Sequence, residues 1–221
     1  MDKFKNIGES CFIKTTDLKS NTCVFPISDV WWSRLYEYPW AMQFAEANDI
    51  CLDAACGTVH HLKFYLAQAC RTVYCCDLDP MMNTPNLIFE SLMPTLSEDT
   101  YNNLLENASK MDFKCCNLSS LPYEDKFFNK VYCISVLEHL DTNTLKNSLM
   151  EFYRVLKDDG FIVLTFDYPS INLELLSTVI DECNLKFAYD VDFTIPQDCL
   201  DSHIYPGLKC FKALLVKKVI V

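Results

Sequence analysis

Apolar positions along this chain follow two rhythms that alternate from about residue 50 onward. Ile50, Cys51 and Leu52 form an apolar run of strand length, and after a stretch of small residues Leu62, Tyr65, Leu66 and Ala69 recur at helical spacing. Residues 72–76 are β-branched and apolar, which predicts a second strand. Residues 111–116 predict a third. Residues 131–135 are continuously apolar, as expected of a central parallel strand covered on both faces. Asp141 and Thr142 precede an amphipathic helix over 145–156, with Leu149, Phe152 and Leu156 on one face, and Gly160 fits a left-handed cap at its end. A fifth strand over 161–166 and a helix over 171–183 follow. Residues 186–194 and 209–220 are strand-like, and their non-helical connection suggests an antiparallel pair. Strands alternating with helices predict an α/β fold.

The flanks of this pattern are less regular. Residues 1–28 are weakly patterned; Pro26 and the Ser28-Asp29 pair mark a helix entry. Residues 30–47 then predict an aromatic-rich helix interrupted or kinked at Pro39, where a proline removes a hydrogen bond and clashes with the preceding turn. We expect residues 1–47 to be an N-terminal helical extension or lid, with Arg34, Tyr36 and Tyr38 facing a ligand. Residues 81–110 are broken by Pro85 and Pro94, and Ser97 caps a short helix within them.

Charge narrows the partners. Thirty acidic against 19 basic residues leave a net charge of −11, which disfavours broad binding to nucleic acid. No apolar run reaches the ~20 residues of a membrane span, and the N-terminus carries no signal-peptide pattern. The expected protein is soluble and cytoplasmic. Thirteen cysteines, an odd number without zinc spacing, read as small buried hydrophobes in a reducing compartment, and no metal is expected. Cys75 and Cys76 should point to opposite faces of their strand.

The candidate chemistry gathers at the ends of the first two strands. Asp53 is followed by small residues and Gly57, so a ligand can approach the backbone before the helix begins. Asp77 ends the second strand about 20 residues later, the spacing at which a carboxylate meets ribose hydroxyls.

These segments carry a family resemblance. Leu52-Asp53-Ala54-Ala55-Cys56-Gly57-Thr58, Cys76-Asp77-Leu78-Asp79-Pro80, the stretch from Leu121-Pro122 to Val131, Val136-Leu137-Glu138-His139-Leu140, and Glu151 to Phe161 resemble, in order, the motifs of class I S-adenosylmethionine-dependent methyltransferases. The resemblance spans roughly residues 48–221. It implies a Rossmann-like seven-stranded sheet with an antiparallel last strand and helices on both faces, and S-adenosylmethionine as cofactor. By the same resemblance, Asp53, Ala55 and Gly57 would hold the methionine part, Asp77 the ribose, and Leu78 and Asn117 the adenine, with Leu118 also lining the cofactor. Ile134 and Ser135 would lie beside the methionine. His139 is the candidate base. Asp167, Tyr168 and His203 join Arg34, Tyr36 and Tyr38 as candidate substrate residues, and Glu138 is placed to orient a base or pair with Arg34. The expected acceptor is a small molecule.

Three departures stand out. Only Gly57 remains of the family's three glycines; Ala55 replaces the first, a mild change where φ is negative, and Val59 replaces the third, where a branched side chain would crowd the helix start or the ligand. Asn129 stands for the usual aspartate. A catalytically silent member of the fold, serving as a binding or scaffold protein, is the alternative expectation.

Overall fold

The computed structural model describes residues 3–218, and its centre is a sheet of eight strands. They are β1 (Cys11–Phe12), β2 (Ile50–Ala54), β3 (Thr72–Asp77), β4 (Met111–Cys115), β5 (Phe128–Ile134), β6 (Leu156–Tyr168), β7 (Leu185–Phe187) and β8 (Lys209–Lys217). Their order is β1-β8-β6-β5-β2-β3-β4, with β7 also pairing to β8. Strands β2 to β6 are parallel, whereas β8 runs antiparallel to β6, β1 and β7. The seven strands implied by the resemblance are present. The eighth, β1, comes from the weakly patterned N-terminus; two residues are too short to show a period.

Among the described residues six α-helices cover the sheet: α1 (Arg34–Met42), α2 (Leu62–Ala69), α3 (Pro85–Leu92), α4 (Glu98–Asn107), α5 (Thr142–Val155) and α6 (Leu173–Glu182). The first four pack on one face and the last two on the other, giving two apolar layers. Cys75 faces the first layer and Cys76 the second, as strand alternation requires. In α5, Leu149 and Phe152 are wholly buried, and Asp141 caps the helix by accepting from Asn143 N (2.9 Å) and Thr144 N (3.1 Å). Truncating Phe152 to alanine would cost about 3–5 kcal/mol.

Two local expectations are corrected. The aromatic helix spans nine residues rather than 30–47, and Pro39 lies inside it. Proline has no N–H to offer the Leu35 carbonyl four residues back; Ser20 N donates to that oxygen instead, at 2.9 Å. Gly160 is not a left-handed cap, since α5 ends at Val155 and residues 156–168 are strand. Its small size serves packing: a Cβ there would sit 2.7 Å from the Asn129 carbonyl and 2.7 Å from Leu156 Cδ1. The register slips beside it, with Phe128 opposite Leu156 but Lys130 opposite Phe161.

The N-terminal segment shares a core with the sheet. Phe4, Ile13, Phe25, Trp32, Leu35, Tyr38, Trp40 and Phe44 are buried in the same layer as α2 and α3. Strand order reverses between β2 and β5, so a crevice opens at their carboxyl ends.

Candidate ligand site at the strand ends

The turn between β2 and α2 is the floor of this crevice. Ala55 adopts φ 54° and Gly57 φ 56°. The expectation of a negative φ at Ala55 is therefore overturned, and an L-residue there pays about 1–2 kcal/mol. At Gly57 no side chain fits, because a Cβ would lie 2.4 Å from His60 Cδ2. Val59 does not crowd the helix start; the residue is 36% exposed.

Neighbouring groups hold this strained turn. Cys56 N donates to the Cys76 carbonyl and Gly57 N to Asp77 Oδ2, both at 2.9 Å. The wholly buried Lys63 donates to the carbonyls of Cys56 (3.1 Å), Gly57 (2.9 Å) and His60 (2.6 Å). Three donors meet three acceptors, the full capacity of an ammonium. Lys63 escaped the sequence reading; its one signal is a cation on an otherwise apolar helix face.

Two cavities adjoin above the turn. One, of about 340 Å³, is lined by Gly57, Asp77, Leu78, Cys116, Asn117 and Leu118 among others. Leu78 is 67% exposed and offers a bare apolar surface there. Asp77 Oδ1 accepts from Asp79 N at 3.0 Å, and Asn117 Oδ1 from Ser119 N at 2.9 Å. Each oxygen retains a second lone pair for a ligand.

The other cavity, of about 70 Å³, is lined by Arg34, Tyr38, Asp53, Cys56, Ile134 and Ser135 among others. Ala55, His60 and Val136 border both. His60 stacks on Trp31, with centroids 4.6 Å apart, and its Nδ1 lies 3.2 Å from the Tyr38 hydroxyl. Burial, with the Arg34 and Lys63 charges adding to it, pulls the His60 pKa down to about 3. His61 falls to about 4, mainly through burial. Burial pushes Asp53 up to about 7; Lys63 opposes this and Asp77 adds to it.

Behind the smaller cavity lies a buried ionic network. Arg34 pairs with Glu37, one turn along α1, rather than with Glu138. Glu37 is wholly buried and accepts from Ser135 Oγ at 2.6 Å and from the Cys210 thiol at 3.2 Å. Burial pushes its carboxyl up, but the Arg34 charge and hydrogen bonds from Ser135, Thr165 and Arg34 outweigh that and hold it below the usual range. Ser135 itself has φ 48°, and Thr165 carbonyl and hydroxyl oxygens both accept from its N–H, at 3.1 Å.

The remaining candidates lie outside both cavities. Tyr36 is buried beneath the Lys19 ammonium, 5.6 Å from its ring centroid. His139 is exposed on the single turn Leu137–His139 that follows β5, and His203 is exposed on the loop before β8. Asp167 and Tyr168 are half-buried at the end of β6. Asn129 Oδ1 accepts from Ile50 N (3.0 Å) and Lys157 Nζ (2.9 Å), a joint between strands. Asp49, Cys51 and Cys70 bring ligand-type atoms within 4.8 Å of one another at the opposite end of β2, and Lys130 Nζ already sits 3.1 Å from Asp49 Oδ2 there.

Comparison with known proteins agrees with this architecture. A family model described as a methyltransferase domain matches residues 52–164. An uncharacterised protein of Methanocaldococcus jannaschii is 39% identical over 71 residues; the match covers 32% of this chain and 30% of that relative's length. Among solved structures, an S-adenosylmethionine-dependent methyltransferase of Methanosarcina mazei superposes with a TM-score of 0.61 at 18% identity, covering 83% of this chain and 99% of the other. A 1,6-didemethyltoxoflavin-N1-methyltransferase of Burkholderia thailandensis, solved with that compound and S-adenosylhomocysteine, gives 0.57 at 15% identity, covering 86% and 81%.

Proposed function

The chain belongs to the methyltransferase domain family, and from that premise we propose that it transfers a methyl group from S-adenosylmethionine to a small-molecule acceptor. The observation that carries this reading is the pairing of the two cavities. The larger has the apolar surface of Leu78 for a flat base and the Asp77 carboxylate for ribose hydroxyls. The smaller holds one cation, Arg34, and one buried carboxylate, Asp53, the complement of a zwitterionic amino acid. A nucleoside joined to an amino acid spans both.

The cofactor supplies a methyl group on a cationic sulfur. This chain's residues bind and align it, and exclude water. Asp77 receives the ribose hydroxyls, and Arg34, released in part from Glu37, receives the methionine carboxylate. Asp53 and the carbonyl groups of the turn face the ammonium. A bound ammonium favours the ionised form of Asp53 and draws its raised pKa back down. The toxoflavin-type substrate of the Burkholderia neighbour supports a small-molecule acceptor.

One observation favours the silent alternative: the smaller cavity, at about 70 Å³, is tight for a methionyl group unless Arg34 and His60 move. Calorimetry with S-adenosylmethionine and S-adenosylhomocysteine decides between the two. Micromolar binding of either supports the enzyme, and no heat with either overturns it.

A further inference from the structure

We propose that Glu138 and Asp167 receive the ammonium group of a small amine, and that this amine is the methyl acceptor. The identity of the acceptor rests on the methyltransferase reading; the amine site itself does not.

Glu138 lies on the turn after β5 and Asp167 near the end of β6, the two strand ends beside Ser135. Asp167 N donates to Glu138 Oε1 at 2.9 Å, which ties the two residues together. The other oxygen of Glu138 (Oε2) and Oδ1 of Asp167 are buried and accept nothing. Glu138 is only 8% exposed. Buried oxygens without donors are costly and call for an explanation.

The surrounding charges define what would satisfy them. Glu37 and the Cys210 thiol face Asp167 from α1 and β8, and Arg34 and His139 flank it. Arg34 reaches Glu37 and Ser33 Oγ (3.3 Å) through Nη1 and pairs with neither Glu138 nor Asp167. Among the described residues these two carboxyl groups have no ion pair of their own. A carboxylate ligand would be repelled, and a neutral hydroxyl brings a single donor. An ammonium brings positive charge and three donors, enough for both orphan oxygens.

The same groups serve the chemistry. Burial pushes Glu138 up to about 8; the Asp167 N–H opposes this, and the Asp167 and Glu37 charges add to it. Asp167 rises to about 6 through burial and Glu37, with Arg34 and His139 opposing. Both can take a proton near neutral pH. The ammonium gives one proton to Asp167. The freed nitrogen lone pair forms the N–C bond to the sulfonium methyl while the C–S bond breaks and sulfur keeps its electron pair. A methylated ammonium and S-adenosylhomocysteine result.

The test follows the side-chain carboxyl signals of ¹³C-labelled protein by NMR. n-Butylammonium, butan-1-ol and butyrate are titrated separately, and S-adenosylhomocysteine binding is measured on the same sample by calorimetry. Butylammonium should shift the Glu138 and Asp167 signals saturably, with the alcohol and the acid inert. Glu138→Gln and Asp167→Asn should each weaken the amine by about tenfold. Equal shifts with butan-1-ol, no shift with the amine, or unchanged affinity in both variants overturns the proposal. S-adenosylhomocysteine binding without an amine response sinks this inference alone. An amine response without S-adenosylhomocysteine binding supports the amine site and sinks the methyltransferase reading.

Discussion

The two cavities that meet at His60 are held open by different means. The larger is shaped by successive strand ends: Gly57, Asp77, Leu78 and Asn117 lie at the ends of three adjacent parallel strands. The smaller depends on charges brought from far apart: Arg34 and Glu37 from α1, Ser135 after β5, and Cys210 on β8. A site built from strand ends tolerates change elsewhere in the chain, whereas one built on a buried ion pair fails when any partner is removed.

Variants can break or sharpen this contrast. The largest effect should come from Lys63→Met, which strips three carbonyls of the turn common to both cavities of their donor. We expect a loss of about 3–5 kcal/mol in urea unfolding, with S-adenosylhomocysteine binding abolished. Asp77→Ala removes the acceptor for Gly57 N as well as the proposed ribose contact, and should weaken adenosine and S-adenosylhomocysteine alike by about tenfold or more in calorimetry. Glu37→Gln acts on one side only. S-adenosylhomocysteine should weaken about tenfold while adenosine is unchanged; parallel losses for both ligands would show that the two halves are one unit.

Acidity offers a gentler probe. His60 is neutral when folded down to about pH 3, while the unfolded chain takes up its proton near 6.5. Its contribution to stability is complete above 6.5 and is lost as pH falls toward 3. Asp53 acts in the opposite direction, its contribution falling as pH rises from the usual carboxylate range to about 7. His60→Gln should therefore flatten the acid limb of thermal stability between pH 6.5 and 4; an unaltered limb would place the ring in solvent. The smallest effect is expected at Ala55→Gly, which relieves the left-handed backbone and should stabilise by about 0.5–1 kcal/mol with ligand affinity intact.

The contrast also explains what could be read from the chain beforehand. The parallel strands, the capped α5 and the residues of the larger cavity announce themselves by local period and by order along the sequence. Arg34 and Tyr38 are visible as candidates because an aromatic cluster is conspicuous, but Arg34's partner Glu37 is not, since a carboxylate on a helix ordinarily faces water. Lys63 was hidden for the same reason. The conformation of Ala55 could not be read at all: left-handed backbone without glycine depends on neighbours that supply its hydrogen bonds, and those come from β3 and α2. Gly160 misled because a glycine after a helix looks the same whether it supplies φ or merely room.

The Glu37–Cys210 contact spans 173 positions, and Ser10 Oγ accepts from Leu214 N across 204. During ribosomal synthesis α1 and the segment around Ser10 must therefore wait for β8. A nascent chain that has released β2 to β6 already owns the nucleoside-sized half of the crevice, but it cannot lock α1 until β8 emerges. Until then the buried Glu37 has neither Cys210 nor a closed wall around it. The buried network behind the smaller cavity thus closes only once β8 is in place.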